Sequence, residues 1–367
     1  MPRDPHPAPP RSLCLLRLSA IGDCSHVVPI VRTLQTHWPE TALTWIVGKT
    51  EHHLVGDLPG VEFIVVDKGD GLFGAMAKLR QALGGRRFEV LLHLQASWRA
   101  NLLASVIRAD TRIGFDRPRA RNGQRLFTNR TIAGPHRIHV LDGFFQFLQA
   151  AGLTARTLRW DLPIPPEAEA EAVQRLPPHP FLAISPCSSA RARNFRNWYP
   201  ERYAGVADHA YRYHGLALVL TGGPTQLERA YAEAITAATS APVTDLVGAT
   251  SLKGLLAALR RAQAFIGPDS GPLHLANAVG TPVVGLYATS NPQRTGPYCH
   301  LAHVANRYPE ALKAELGQPV EAIRWGQRVR NPEAMERISV ADVTTRLDAA
   351  LAGDGRPHPS TADHART

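Results

Sequence analysis

The stretch "IGPDSGPLHLANAVG", residues 266–280, closes an apolar run with Asp269, Ser270, Gly271 and His274. Gly267, Gly271 and Pro272 bend the chain there, and "PLHLANAVG" reads as a helix stopped by Gly280. A helix N-terminus presents backbone N–H groups and the positive end of a dipole, which together suit an anion. Ser270 and Gly271 can offer N–H groups to a diphosphate, and His274, one turn in, can add a hydrogen bond. The alternative is that Asp269 caps the helix and His274 is a buried structural histidine.

Three further stretches carry residues of the same character. In "SAIGDCSHVVP", after the first apolar run, Gly22 permits a ligand to approach closely and Asp23 stands at or beside a helix start. Two roles are open to Asp23: a helix cap, or a carboxylate at a strand's carboxyl end that takes a proton from an acceptor hydroxyl. "SPCSSARARNFRNWYPERY" (185–203) crowds Arg191, Arg193 and Arg196 beside Ser188 and Ser189. Guanidinium groups bond phosphate oxygens in pairs, so the set suits a diphosphate; a solvated basic loop is the alternative. Trp198 and Tyr199 are expected to anchor this loop in the core, and Cys187 to be a packing residue. In "LTGGPTQLERA" (220–230) a glycine-rich turn precedes a helix, and Gln226 or Glu228 there can reach ribose hydroxyls.

Other chemistries lack their residues. There is no phosphate-loop GxxxxGK, no GxGxxG after the first strand, no Cys/His metal spacing and no Asp-x-Asp pair at a strand end. No cofactor and no metal are expected; protein cations and helix dipoles would carry the charge of a departing diphosphate. The four cysteines, at 14, 24, 187 and 299, fit neither a disulfide framework nor a zinc site and point to a reducing, cytoplasmic compartment. No apolar run is long enough to span a bilayer, and no secretory signal is recognised. With 41 basic against 31 acidic residues, the formal charge of +10 suits phosphorylated substrates or anionic lipid. Arginines concentrate in "RIGFDRPRARNGQRLFTNR" (112–130), but no nucleic-acid module accompanies them, so nucleic acid is not expected as a partner.

These residues must be positioned by strands alternating with helices. "LCLLRLSA", "ALTWIVG", "EFIVVD" and "EVLLHLQ" read as buried strands, and "HVVPIVRTLQTHWP", "GLFGAMAKLRQALGG", "WRANLLASVIRAD" and "HVLDGFFQFLQAAGL" as helices. After a Pro-rich stretch the alternation restarts at "FLAISPCS" and runs through "TPVVGLYA". The fold class is therefore α/β, two doubly wound parallel-sheet domains, with ligands beyond the carboxyl ends of the strands. The expected division is a disordered tail at 1–11, a first domain at 12–163, a linker with a short helix at 164–179, and a second domain at 180–338. A final helix at 339–353 is expected to pack back on the first domain, and 354–367 to be a disordered tail.

Taken in order, "RLSAIGD" (17–23), "LLHLQASWRANLLASVIRADTRIGFD" (91–116), "RNWYPERYAGVA" (196–207), "LTGGPTQLERA" (220–230), "FIGPDSGPLHLANAVGTPVVGLYATSNP" (265–292) and "AMERISVADV" (334–343) resemble the lipopolysaccharide heptosyltransferases. The resemblance covers most of residues 12–350. It implies the GT-B architecture, two Rossmann-like domains facing across a cleft, the first for acceptor and the second for ADP-sugar. It places Asp23 at the family's catalytic base. It assigns Gly22, Ser188, Ser189, Arg196, Asp269, Ser270, Gly271 and His274 to the donor, and Gln226 or Glu228 to the ribose. Arg99, Arg117, Arg119 and Arg121 become candidates for an anionic acceptor.

The resemblance further implies an inverting, metal-independent transfer of heptose from ADP-heptose to the anionic lipopolysaccharide inner core. The enzyme would be cytoplasmic, in peripheral contact with the anionic inner membrane surface. Another sugar-nucleotide enzyme of the same architecture, with a different donor or a protein acceptor, and a non-catalytic nucleotide or anionic-glycan binder are the alternatives. The second has no use for a carboxylate at the Asp23 position.

Overall fold

A computed structural model describes residues 8–188 and 195–353. Ser189, Arg191, Arg193, and the parts of the expected tails at 1–7 and 354–367, lie outside the described residues. The chain divides into two compact units, Met1–Pro163 and Ile164–Thr367.

In the first unit the order is β1 (Ser12–Leu16), α1 (Ile21–His37), β2 (Ala42–Gly48), α2 (Lys49–Val55), β3 (Val61–Val66), α3 (Gly71–Leu83), β4 (Arg87–His93), α4 (Trp98–Ala104), β5 (Arg108–Gly114), β6 (Arg130–Thr131) and α5 (Val140–Ala151). The six strands form one parallel sheet in the order β3-β2-β1-β4-β5-β6.

The second unit repeats the plan. It runs α6 (Pro166–Arg175), β7 (Phe181–Ile184), α7 (Pro200–His214), β8 (Ala217–Leu220), α8 (Gln226–Ala238), β9 (Val243–Asp245), α9 (Leu252–Arg261), β10 (Ala264–Pro268) and α10 (Gly271–Ala278). Then come β11 (Val283–Tyr287), α11 (Pro292–Thr295), β12 (Ala305–Asn306), α12 (Tyr308–Leu316) and α13 (Val340–Ala352). Its parallel sheet is ordered β12-β11-β10-β7-β8-β9, the same winding as the first. The central strands are buried along most of their length, as in "FLAI" of β7 and "AFIGP" of β10, because helices cover both faces. In each sheet the strand order reverses once, between β1 and β4 and between β7 and β10. The crevice beyond the carboxyl ends at such a reversal is where open sheets bind ligands.

Four boundaries differ from the sequence reading. The helix expected through Asp110 stops at Ala104, and Arg108–Gly114 is strand β5. Arg112 decides it: its guanidinium bonds the carbonyls of Ala104, at 2.6 Å, and Ile107, tying off the end of α4 from the strand beside it. The expected linker contains α6, which belongs to the second unit. Ala168 and Ala172 are buried there, α6 packs on α9, and Glu169 pairs with Arg260 and Arg261.

The final helix, expected on the first domain, instead fills the second unit's core. α13 is opened by a Ser339/Asp342 capping box and packs on α7 and β11, with Val343, Leu347 and Ala350 buried in the cluster that holds Trp198 and Ile338. Arg307 holds Asp342 at 2.6 Å and fixes its register. At the other end, Pro10 and Arg11, placed in the tail by sequence, are tied to the first sheet: Thr41 donates to the Pro10 carbonyl at 2.6 Å and Arg11 pairs with Glu89. Among the described residues no helix is long and apolar enough to cross a membrane.

Candidate active site

In the first unit the candidate residues gather where β1 and β4 part. β1 leaves the sheet through Arg17–Ala20 before α1 begins. Gln95, just beyond β4, receives the N–H groups of Leu18 and Ser19 at 2.8 and 3.1 Å, so the loop is held from the neighbouring strand. From the other side the Gly48 N–H bonds the Leu18 carbonyl at 3.1 Å. A Cβ at Gly48 would collide with that carbonyl and with the Glu51 carboxylate, so glycine is required for the approach.

Asp23 does not cap α1. The cap position is Ala20, without a side-chain bond, and Asp23 sits in the first turn, where the helix dipole favours a negative charge. Its carboxylate pairs with Arg17; the side chains are 36% and 11% exposed respectively. Arg17 is itself fixed, donating to the Leu94 carbonyl at 2.6 Å and lying 5.4 Å from the Phe144 ring centroid. A half-buried, twice-anchored cation thus holds an accessible carboxylate at the strand edge. Gly22 is buried, and its carbonyl accepts from Ser25 Oγ at 2.7 Å.

The candidate acceptor arginines divide. Arg99 donates from one nitrogen, Nη2, to the carbonyls of Asp67, at 2.9 Å, and Gly71, at 3.3 Å. Arg119 pairs with Asp116 through two bonds and reaches Gln146 at 2.5 Å. Both hold loops. Arg117 and Arg121 are exposed.

In the second unit a separate cluster lies where β7 and β10 part, and Asp269 is its centre. It is buried and caps nothing; the cap of α10 is Ser270, in extended conformation and without a side-chain bond. Asp269 Oδ2 instead accepts from Ser290 at 2.8 Å and Thr295 at 3.4 Å, and lies 3.4 Å from Arg196 Nη1 and 3.9 Å from Arg328. Arg196 also donates to the Asp269 carbonyl at 2.6 Å, and His274 Nε2 stands 3.8 Å from Oδ1. Burial alone would raise the carboxyl's pKa. The Arg196 guanidinium, the neighbouring His274 and the Ser290 hydroxyl outweigh it and hold the pKa down to about 2.

One buried anion therefore gathers two arginines at the start of a helix whose first-turn N–H groups have no intrahelical acceptor. Ser270 Oγ and Arg196 Nε are buried and find no hydrogen-bond partner among the described residues. The arrangement can receive a further anion.

The remaining residues frame this edge. Asn197 Oδ1 accepts the Ser188 N–H at 2.8 Å and the Ser188 hydroxyl at 3.1 Å, fixing the loop after β7. Trp198 anchors the same loop by donating to the Ile338 carbonyl at 3.0 Å from a fully buried ring. Glu228 closes the glycine-rich turn, accepting from the Gly223 N–H at 2.8 Å and the Thr225 hydroxyl at 2.6 Å, whereas Gln226 is exposed. Among the described residues one group of metal-ligand type side chains occurs, His209, His214 and Asp348. It lies where α7 turns into β8, at the opposite edge of the sheet.

Sequence reasoning did not single out Arg17, Gln95, Ser290 or Arg328. Arg17 had a signal, a lone charge in the apolar run "LCLLRLSA". Ser290 had a weaker one, its place just past β11. Arg328 comes from an irregular segment with none.

Comparison with known proteins gives the family and the fold. A family model described as glycosyltransferase family 9 (heptosyltransferase) matches residues 76–321. The lipopolysaccharide core heptosyltransferase OpsX of Haemophilus influenzae is 38% identical over 339 residues, 92% of this chain and 96% of that protein. Among solved structures, a glycosyltransferase family 9 protein of Veillonella parvula superposes with a TM-score of 0.75 at 23% identity, covering 93% of this chain and 97% of that one. The ADP-heptose lipopolysaccharide heptosyltransferase II of Escherichia coli gives 0.69 at 19%, covering 93% and 98%. At these identities the two structures speak for the fold, the GT-B pair of Rossmann-like units.

Proposed function

The chain belongs to glycosyltransferase family 9, the heptosyltransferases, and from that premise we propose that it moves a heptose from ADP-heptose to a sugar hydroxyl of the lipopolysaccharide inner core, with inversion. The observation that carries the donor side is the buried Asp269, which draws Arg196 and Arg328 to the start of α10. As the acceptor oxygen bonds to the anomeric carbon, the bond from that carbon to the ADP oxygen breaks. Negative charge builds on the diphosphate, and Arg196, Arg328 and the α10 N-terminus are placed to receive it. The acceptor proton passes to Asp23, which Arg17 orients. Asp269 acts through the groups it gathers and is a positioning residue.

Positive charge on this scale from the protein supports a transfer that proceeds without a metal ion. Gln226 is the better candidate for a ribose contact, since both carboxylate oxygens of Glu228 serve the turn. Arg117 and Arg121 are the arginines left to meet an anionic acceptor. The enzyme would work in the cytoplasm, in peripheral contact with the inner membrane.

A panel of sugar nucleotides, offered with a heptose-less core acceptor and read by mass spectrometry, tests the proposal. A product heavier by one heptose, with the ADP sugar alone and undiminished by EDTA, is expected. Transfer from a different nucleotide sugar, or none from ADP-heptose, would reject the donor assignment; inhibition by EDTA would reject the metal-free step.

A further inference from the structure

Three large apolar side chains of the first unit stand out in water: Phe73 at 84% exposure, Trp98 at 63% and Leu126 at 86%. They sit on turns that are bound together. Arg99, next to Trp98, donates to the Gly71 carbonyl at the start of the helix that carries Phe73. Asn101 donates to the Asn122 and Arg121 carbonyls, and Asn122 returns a bond to the Ala96 carbonyl at 3.2 Å. Gln124, buried two residues before Leu126, reaches the His93 carbonyl at 2.8 Å. These bonds hold the three side chains on one framework along α3 and α4.

Charge surrounds them. Lys68, Arg117, Arg121 and Arg125 are exposed on the same turns, and none has an ion-pair partner among the described residues. The acids of these turns are already matched: Asp67 with Lys49, Asp70 with Lys78 and Asp116 with Arg119. The face is therefore apolar at its tips and cationic around them, the combination that seats a protein on an anionic bilayer. It also adjoins the proposed acceptor edge. Ser97, which caps α4 beside Trp98, bonds Gln95 at 3.2 Å, and Gln95 holds the loop leading to Asp23.

We propose that Phe73, Trp98 and Leu126, ringed by Lys68, Arg117, Arg121 and Arg125, form a docking face for an anionic bilayer. An acceptor glycan standing out of that bilayer would then meet Asp23 while its lipid stays embedded. The docking face gives a surface to the membrane contact proposed above, and the last step rests on the lipid-linked acceptor proposed there.

The test is flotation with vesicles of phosphatidylcholine, with and without phosphatidylglycerol. The parent protein should float with the anionic vesicles, less so as salt rises, with a blue shift of tryptophan emission as Trp98 leaves water. The Phe73→Ser, Trp98→Ser double variant changes only exposed side chains and should bind at least about tenfold more weakly. Equal flotation of parent and variant would overturn the proposal. So would a parent that ignores the vesicles but self-associates, with the variant monomeric, since the face would then belong to a second copy. Transfer to a de-acylated, water-soluble acceptor should be the same in parent and variant. A parent inactive on that acceptor would count against the proposed reaction, with the flotation result still deciding the face.

Discussion

Replacing Asp269 with asparagine keeps the shape of the side chain at the centre of the second unit's cluster and removes its charge. In the folded protein the carboxyl titrates near 2 against an ordinary value of 3.8. A difference approaching two units, at about 1.4 kcal/mol each, corresponds to roughly 2 kcal/mol of stability held by the ionised form. The sign is set by the direction of the shift. A carboxyl depressed on folding contributes fully above its unfolded value and loses its contribution as the pH falls through its folded one. The window is thus about pH 4 down to about pH 2.

The variant also leaves Arg196 and Arg328 without the anion between them. Breaking a buried pair by removing one partner costs about 3–5 kcal/mol, so roughly 2 kcal/mol is a lower bound. For a unit of this size the expected fall in Tm at pH 7 is about 4–8 °C or more. Calorimetry of parent and variant across pH 7 to 2.5 measures it. The gap between the two should be widest at neutral pH and narrow as the parent's own carboxyl protonates. ADP brings replacement negative charge and should recover part of the variant's loss. A gap that stays constant with pH, or a variant as stable as the parent at pH 7, would refute the argument that Asp269 is an ionised hub.

Three further variants probe the two clusters one at a time. Asp23→Ala should lower kcat about 10²–10⁴-fold with ADP binding unchanged, and Arg17→Gln should lower kcat in the same direction while KM for the donor stays put; steady-state kinetics beside ADP titration distinguishes this from loss of the donor site. Arg196→Ala should weaken ADP binding about tenfold or more, since a charge-assisted bond to phosphate is lost, and calorimetric titration with ADP that matched the parent would remove Arg196 from the phosphate site.

The alternation of buried strands and amphipathic helices was legible because parallel strands covered on both faces must be apolar nearly throughout, as "FLAI" and "ALVL" are. The position of Asp269 was legible for a related reason: a polar residue that directly follows such a strand stands at the sheet's carboxyl edge. Tertiary structure decided which role each residue took. Asp269 reads as a helix cap or a ligand by spacing alone, and becomes a charge hub only because Arg328 and Ser290 arrive from elsewhere in the fold. Arg99 and Arg119 look like Arg117 and Arg121 in sequence, yet the first two are bonded to nearby carbonyls, Asp116 and Gln146. Strand β5 was hidden because its first residues continue a helical spacing, and the Arg112 guanidinium that ends α4 acts through space. Local pattern is set by which side chains must leave water, and so it can be read along the chain. Partner choice is set by distances between segments far apart in that chain, and only the folded molecule contains them.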